Sequence, residues 1–311
     1  MAKLGDWEYC QAPINDPIPD KEWGEMFDGT PIRKLWTQDQ NDDGQYVREQ
    51  CKENYQAEII TDIDDWYDDI PETNPAKAVH KRFHLDKKLS AMHEMADTIC
   101  CSTPFLVDKM GPRAKLCPNF IVEENWEFPK RTTKRDDECV LMFGAGMGRA
   151  GEIHEIREAL RTFLKEPNTK IVFIGAWHKF ASEFPPGKVI WSRFAEAWDY
   201  PQLIRWIAPD ITISPMEHRD FNLAKSNIKW LESAMIDACF VGENWGDMAR
   251  TITDGKDGFL ADGIDQWTDT LVDLARNPEK RIMAAQKARS VVESKWTWGA
   301  VEENWRAALG V

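Results

Sequence analysis

The chain of 311 residues contains no apolar run of about 18 residues, so no stretch of it reads as a membrane-crossing helix. Its start, MAKLGDWEYCQAP, lacks a basic region followed by an apolar core. The expectation is therefore a cytoplasmic protein without a secretory leader. Cysteine spacing is equally unrevealing: Cys10, Cys51, Cys100, Cys101, Cys117, Cys139 and Cys239 are odd in number and nowhere form CxxC. They read as reduced, mostly buried thiols, which leaves neither a disulfide framework nor a zinc ribbon. The patterns GxSxG, HExxH and GxxxxGK[ST] are also missing, which removes the nucleophile-elbow hydrolase, metalloprotease and P-loop readings. His154 and His178 have no carboxylate or cysteine at ligand spacing and read as structural or surface residues.

What the chain does have is length, apolar content and an uneven charge. With 42% hydrophobic residues it can bury two ordinary cores, and its length favours two domains. The net charge of −14 is concentrated at the front. Residues 1–75 hold 6 Lys or Arg against 19 Asp or Glu, and the remainder holds 33 against 34. An acidic front repels a phosphate backbone, so avid nonspecific binding to nucleic acid is not expected.

Read in order, residues 1–31 are polar and proline-punctuated, with one short strand expected near Trp7–Gln11. Strands are predicted at IRKLWTQ (32–38), EIITDID (58–64), TICCS and AKLCPN. Helices are predicted from Gln45 to Tyr55, over HLDKKLSAMHEMAD and over PFLVDKM. EFPKRTTKRDD (127–137) reads as a linker. After it, CVLMF, KIVFIG, KVIW, DITIS, ACFVG and GFLA form six short apolar strands. The helices between them are expected at Glu152–Leu164, Trp177–Ser182, Tyr200–Ile207, Leu223–Met235 and Trp245–Ile252. This alternation implies a doubly wound parallel sheet that binds ligands beyond the carboxyl ends of its strands. Two further helices (264–276 and 279–294) and a last one, Trp298–Leu309, complete the chain.

Three stretches carry possible chemistry. FNLAKSNIKWLE (221–232) reads as an amphipathic helix start, with Ala224, Ile228, Leu231 and Met235 facing inward and Lys225, Lys229 and Glu232 on a polar stripe. Asn222 is the expected N-cap. Free amides beside it, with Lys225, suit a phosphate, and Glu232 two turns on suits sugar hydroxyls. A solvated helix face is the plainer reading of the same stripe. GAGMGRAG (144–151) joins a strand to a helix; Gly144, Gly146 and Gly148 let backbone amides approach a phosphate, and Arg149 can neutralise one. The loop departs from a GxGxxG dinucleotide fingerprint, and the strand KIVFIG ends in Gly175 rather than an acidic residue, which disfavours nicotinamide cofactors. Glu217 or His218, just past DITIS, sits where a transferred sugar would lie. The acidic run Asp62, Asp64, Asp65 offers hard oxygen ligands, but Lys225 and Arg149 supply the cationic pocket, so no metal is expected. Asp64 or Asp65 is read instead as a hydrogen-bond partner of an acceptor hydroxyl.

FNLAKSNIKWLE, preceded by APDITISP and followed by DGFLADGIDQWTDTL, resembles the donor-binding domain of retaining, nucleotide-sugar-dependent glycosyltransferases of the GT-B fold (glycosyltransferase group 1, family 4-like, of phage or bacterial type). ITDIDDWYDDI, ADTICCSTPFLVDKM and KLCPNFIVEENW resemble the acceptor domain of the same enzymes. The resemblance implies an α/β protein with two Rossmann-like domains facing each other: a reduced, acidic acceptor domain (1–130) and a donor domain (138–295). The resemblance also implies a C-terminal helix, 296–311, that crosses back to the first. It places Lys225, Ser226, Arg149 and the glycine loop at the donor diphosphate and Glu232 on the ribose. The commoner family pattern has a second Glu eight positions earlier, where this chain has Ala224. Implied partners are a nucleotide sugar such as a UDP-sugar and an acceptor that is a glycan, a small molecule or a modified phage DNA base, with no further cofactor. A catalytically degenerate nucleotide or glycan binding module is the alternative.

Overall fold

The computed structural model describes residues 33–37, 42–127, 138–196 and 198–310. The strand expected near Trp7–Gln11 and nearly all of the expected linker lie outside the described residues. Among the described residues ten strands form two sheets, one of four strands in the order β1-β2-β3-β4 and one of six. Of the described residues, those up to Asp62 together with His84–Ile99 make one compact unit, and Ile63–Phe83 with Cys100 onwards make the other.

In the first unit β1 (Lys34–Thr37) pairs parallel with β2 (Glu58–Ile63). Between them runs α1 (Asp42–Tyr55), whose Cys51 joins Ala57 and Ile59 in a small apolar cluster. Arg48 of α1 is buried and donates to the Thr37 hydroxyl at 3.2 Å. After α3 (Leu85–Met95), Asp97 turns the chain back: its carboxylate accepts from Ile59 N at 2.9 Å and its own N–H donates to Ile59 O.

Ile63–Phe83 belong to the larger unit and contain a helix the sequence reading missed, α2 (Ala76–Phe83). The proline-containing stretch before HLDKKLSAMHEMAD reads in sequence as a loop. Pro75 instead precedes the first turn, where a missing N–H costs nothing, and Asn74 Oδ1 accepts from Ala76 N at 3.0 Å as a cap. β3 (Thr98–Cys101), α4 (Pro104–Met110) and β4 (Ala114–Leu116) follow the expected pattern; Thr103 caps α4 by accepting from Leu106 N.

The six-stranded sheet is built from β5 (Cys139–Ala145), β6 (Thr169–Gly175), β7 (Val189–Ser192), β8 (Ile211–Ser214), β9 (Cys239–Glu243) and β10 (Phe259–Ala261). All its pairs are parallel, in the order β10-β9-β8-β5-β6-β7. The order reverses between β5 and β8, which makes their carboxyl ends the switch point where such sheets take ligands. Both faces are buried. Leu141, Phe143, Ile171 and Phe173 point into one core layer and Met142, Val172 and Ile174 into the other. That two-sided burial is why these strands read as continuous apolar runs rather than alternating ones.

α5 (Ala150–Glu155), α6 (Arg157–Phe163) and α11 (Gly263–Arg276) cover the first layer, and α7 (Tyr200–Ile207), α9 (Ile228–Met235) and α12 (Pro278–Lys295) the second. The helix expected over Glu152–Leu164 is thus two, parted at Ile156, and Trp177–Ser182 gives only a tight turn over Lys179–Glu183. Most important for function, the single helix expected over Leu223–Met235 is also broken. A one-turn helix, α8 (Asp220–Leu223), ends before Lys225, and α9 begins after Asn227. α10 (Gly246–Thr251) follows β9, and α13 (Trp298–Leu309) closes the described chain, with Trp305 Nε1 donating to Pro118 O at 3.1 Å. Among the described residues no helix is long and apolar enough to cross a membrane.

Candidate functional site

The switch point is bridged by one side chain. Arg149, in the turn after β5, reaches the end of β8, where its Nη2 donates to Pro215 O at 2.9 Å and to Ser214 Oγ at 3.4 Å. Its Nε is paired with Glu152, a carboxylate almost wholly buried at the start of α5. Burial pushes the Glu152 carboxyl up, while Arg149 and a hydrogen bond from Asn222 hold it down.

Asn222 is therefore not the helix cap that the sequence suggests. It is fully buried, and its Nδ2 donates to Glu152 Oε1 at 2.7 Å and to Glu217 O at 2.9 Å. The cap position of α9 is Asn227, whose backbone N–H donates to the buried Asp247 carboxylate at 3.2 Å. The cause is competition: buried Glu152 demands a donor, and Asn222 is the side chain in reach.

Lys225 sits in the break between α8 and α9, bound to Asp65, with its ammonium 4.4 Å from the Phe221 ring centroid. Ser226 beside it accepts from Asn119 Nδ2 at 2.6 Å. Asp64, next to Asp65, has its carboxyl pushed up by burial and by the Asp65 charge, with Lys225 opposing. The same acidic segment reaches the glycine loop. A Cβ at Gly148 would lie 3.1 Å from the Asn74 amide, and one at Gly151 would lie 3.0 Å from Thr73 Oγ1. Glycine at both positions leaves room for the close approach of these side chains.

Glu232 and Lys229 share α9 with an ion pair of 2.9 Å, and Lys229 also donates to Tyr200 Oη at 3.2 Å. Burial works against the Lys229 charge, but Glu232 and Tyr200 outweigh it and raise the ammonium's pKa. Tyr200 is pushed up by burial and by Glu232. Gly144 joins this group, since a Cβ on it would stand 3.0 Å from Tyr200 Oη. A Cβ on Gly146 would stand 3.8 Å from the Phe194 ring. Glu217 is held by Arg219 Nε at 2.9 Å.

The residues singled out by sequence thus fall into linked groups. Arg149, Asn222 and Glu217 meet through Glu152; Gly144 and Glu232 meet through Tyr200; Lys225 meets Asp64 through Asp65. Gly148 stands apart from these groups, against Asn74. Glu152, Tyr200 and Asn119 went unremarked in the sequence, because each is an ordinary helix or loop residue until its partner is known.

A parallel six-stranded sheet with Arg149 at its switch point has the architecture shared by glycosyltransferases of the GT-B class. The chain belongs to the glycosyl transferase-like family, whose model matches residues 149–307. Solved structures agree in fold. HepE from Anabaena, in complex with UDP and glucose, superposes with a TM-score of 0.67 at 11% identity, over 93% of this chain and 80% of that one. Sucrose-phosphate synthase from Thermosynechococcus elongatus gives 0.66 at 11% identity over 93% and 76%. A glycosyltransferase from Rickettsia africae gives 0.65 at 12% over 93% and 80%. No curated protein matches the sequence significantly.

Proposed function

We propose that this glycosyltransferase moves a sugar from a nucleoside diphosphate sugar, a UDP-sugar foremost, to an acceptor hydroxyl, with retention and with no metal on the diphosphate. The observation that supports this most is the pair of cations, Arg149 and Lys225, each held against a carboxylate. A diphosphate carries more charge than the single Asp65 carboxylate and would take its place on Lys225. Backbone amides near Gly144, Gly146 and Gly148 add donors, Ser226 a hydroxyl, and Glu232 an acceptor for the ribose. Glu217, past β8, suits the sugar hydroxyls. Asn222 contributes from below, by fixing Glu152 and hence Arg149.

In the reaction the bond from the sugar's anomeric carbon to the diphosphate oxygen breaks, and the nucleoside diphosphate keeps the electron pair. The acceptor oxygen bonds to that carbon on the same face, and its proton passes to the departing phosphate oxygen. Arg149 and Lys225 stabilise the charge growing on the leaving group, and Asp64 accepts a hydrogen bond from the incoming hydroxyl. HepE's complexes with UDP and with UDP-glucose support the choice of UDP as first probe.

The test is release of nucleoside diphosphate from UDP- and GDP-sugars, followed by mass spectrometry of candidate acceptors, glycans and hydroxymethylpyrimidine DNA among them. Lys225→Ala is expected to lower kcat/KM by about 10²-fold or more, the scale of one preorganised charge contact. Full turnover by that variant refutes the assignment. Ala224, standing where the commoner family pattern has its earlier Glu, favours a second reading, a binding module. Tight nucleotide binding with no diphosphate release over long incubation would establish it.

A further inference from the structure

Three neighbouring strands deliver one ligand-bearing side chain each to a pocket of about 520 Å³, whose wall the sugar-transfer reading uses only at Glu217. His218 follows β8, Glu243 ends β9 and Asp262 follows β10, and these strands are adjacent in the sheet. We propose that His218, Glu243 and Asp262 form a Zn²⁺ site with a fourth position open to that pocket.

The geometry is close to a ligand set before any ion is added. His218 Nε2 is 3.3 Å from Glu243 Oε1 and 3.9 Å from Asp262 Oδ1, and the three ligand atoms lie within 4.8 Å of one another. Bonds of about 2.1 Å at tetrahedral angles separate ligand atoms by about 3.4 Å. The His–Glu pair already meets that spacing. Asp262 is an exposed side chain at a helix start, able to swing toward the other two.

The supports around the three residues are those of an oriented site. Glu243 is buried, and its Oε2 is fixed by Trp267 Nε1 at 3.0 Å and by Met216 N at 3.4 Å, which leaves Oε1 turned to His218. The His218 ring lies on Trp245, 4.4 Å between centroids and 7° from parallel, so its Nε2 is aimed rather than free to rotate. Ligands positioned by outer partners in this way bind more tightly than the same ligands on loose loops.

Charge points the same way. Four carboxylates, Glu155, Glu217, Glu243 and Asp262, line the pocket against Arg219, and Arg219 is already engaged by Glu217 and Asp69. One nitrogen and two carboxylate oxygens select a borderline ion such as Zn²⁺ over Mg²⁺, which prefers an all-oxygen octahedron.

The experiment is calorimetric titration of ZnCl₂ into the chelator-treated full chain, repeated for His218→Ala and for the surface variant Asp262→Asn. One equivalent is expected to bind the parent chain saturably, with binding lost in His218→Ala and sharply weakened in Asp262→Asn. Co²⁺ substituted for Zn²⁺ is expected to give visible bands without thiolate charge transfer, which separates this site from the buried cysteines. Absence of saturable binding, equal binding by both variants, or a thiolate signature would each overturn the proposal. None of these readouts depends on sugar transfer, so the site stands or falls apart from that assignment.

Discussion

His178 shows how little a residue's type says about its setting. It stands in the aromatic core of the six-stranded sheet, its ring 5.4 Å from Phe173, 5.7 Å from Phe143 and 5.9 Å from Phe180, with its Nε2 unpartnered. Burial lowers its pKa from the ordinary 6.5, so the folded protein holds it neutral. Below pH 6.5 the unfolded chain binds a proton that the native one refuses, and stability falls as the pH drops through that window. His178→Phe removes both the orphaned nitrogen and this proton linkage. Urea denaturation at pH 7.5 and pH 5 is expected to show the variant gaining on the parent at acid pH; an equal gap at both would mean that His178 is protonated in the fold. The sequence left His178 open as a structural or a surface residue; the fold buries it, and its aromatic surroundings could not be foreseen, since they come from two strands and a turn. Arg149 was legible in its glycine loop for the opposite reason, because local spacing defines it. Its partner Glu152 was not, because an acidic residue opening a helix needs no explanation until it proves to be buried.

At the scale of elements, apolar periodicity located nearly every strand and helix of the larger unit, and it failed where tertiary bonds broke a helix. Residues 221–235 keep an unbroken helical pattern without Gly or Pro, so nothing local announces the gap at Lys225–Asn227. The gap follows from Asn119 holding Ser226, Asp65 holding Lys225 and Asp247 holding the Asn227 amide. α9 survives as the stable half because it is anchored by Trp230, which is fully buried and donates from Nε1 to the buried Asp257 O at 2.7 Å. Trp230→Phe keeps an aromatic ring but leaves that carbonyl unpaired and a void beside it. The expected loss is about 2–4 kcal/mol in the denaturation midpoint analysis, from the orphaned acceptor and the unfilled space together. A loss under ~0.5 kcal/mol would show that Asp257 is served by another donor and that α9 is anchored elsewhere.

Across the whole molecule, alternation of strands and helices gave the class of fold. The order β10-β9-β8-β5-β6-β7 and its switch point depend on pairings that no sequence window contains. The same holds for the last helix. α13 is joined to residues far earlier in the chain: Trp305 Nε1 bonds Pro118 O, Phe120 packs on Trp298 at 5.0 Å and on Trp305 at 5.9 Å, and Ile121 exchanges backbone bonds with Trp296 and Trp298. Helix formation by twelve residues is marginal in water, so α13 owes its order to this contact rather than to propensity. The contact also holds Asn119, the donor to Ser226, between two anchored neighbours. Trp305→Ala is therefore expected to cost about 3–5 kcal/mol of stability. Because the damage travels along residues 118–121, it should also loosen the Lys225–Ser226 gap, raising KM for the nucleotide sugar more than it lowers kcat. Limited proteolysis and steady-state kinetics on the same preparation check both parts. Cleavage confined to α13 with KM unchanged would mean that residues 118–121 keep their place without the last helix and that Asn119 does not transmit its order to the Lys225–Ser226 gap.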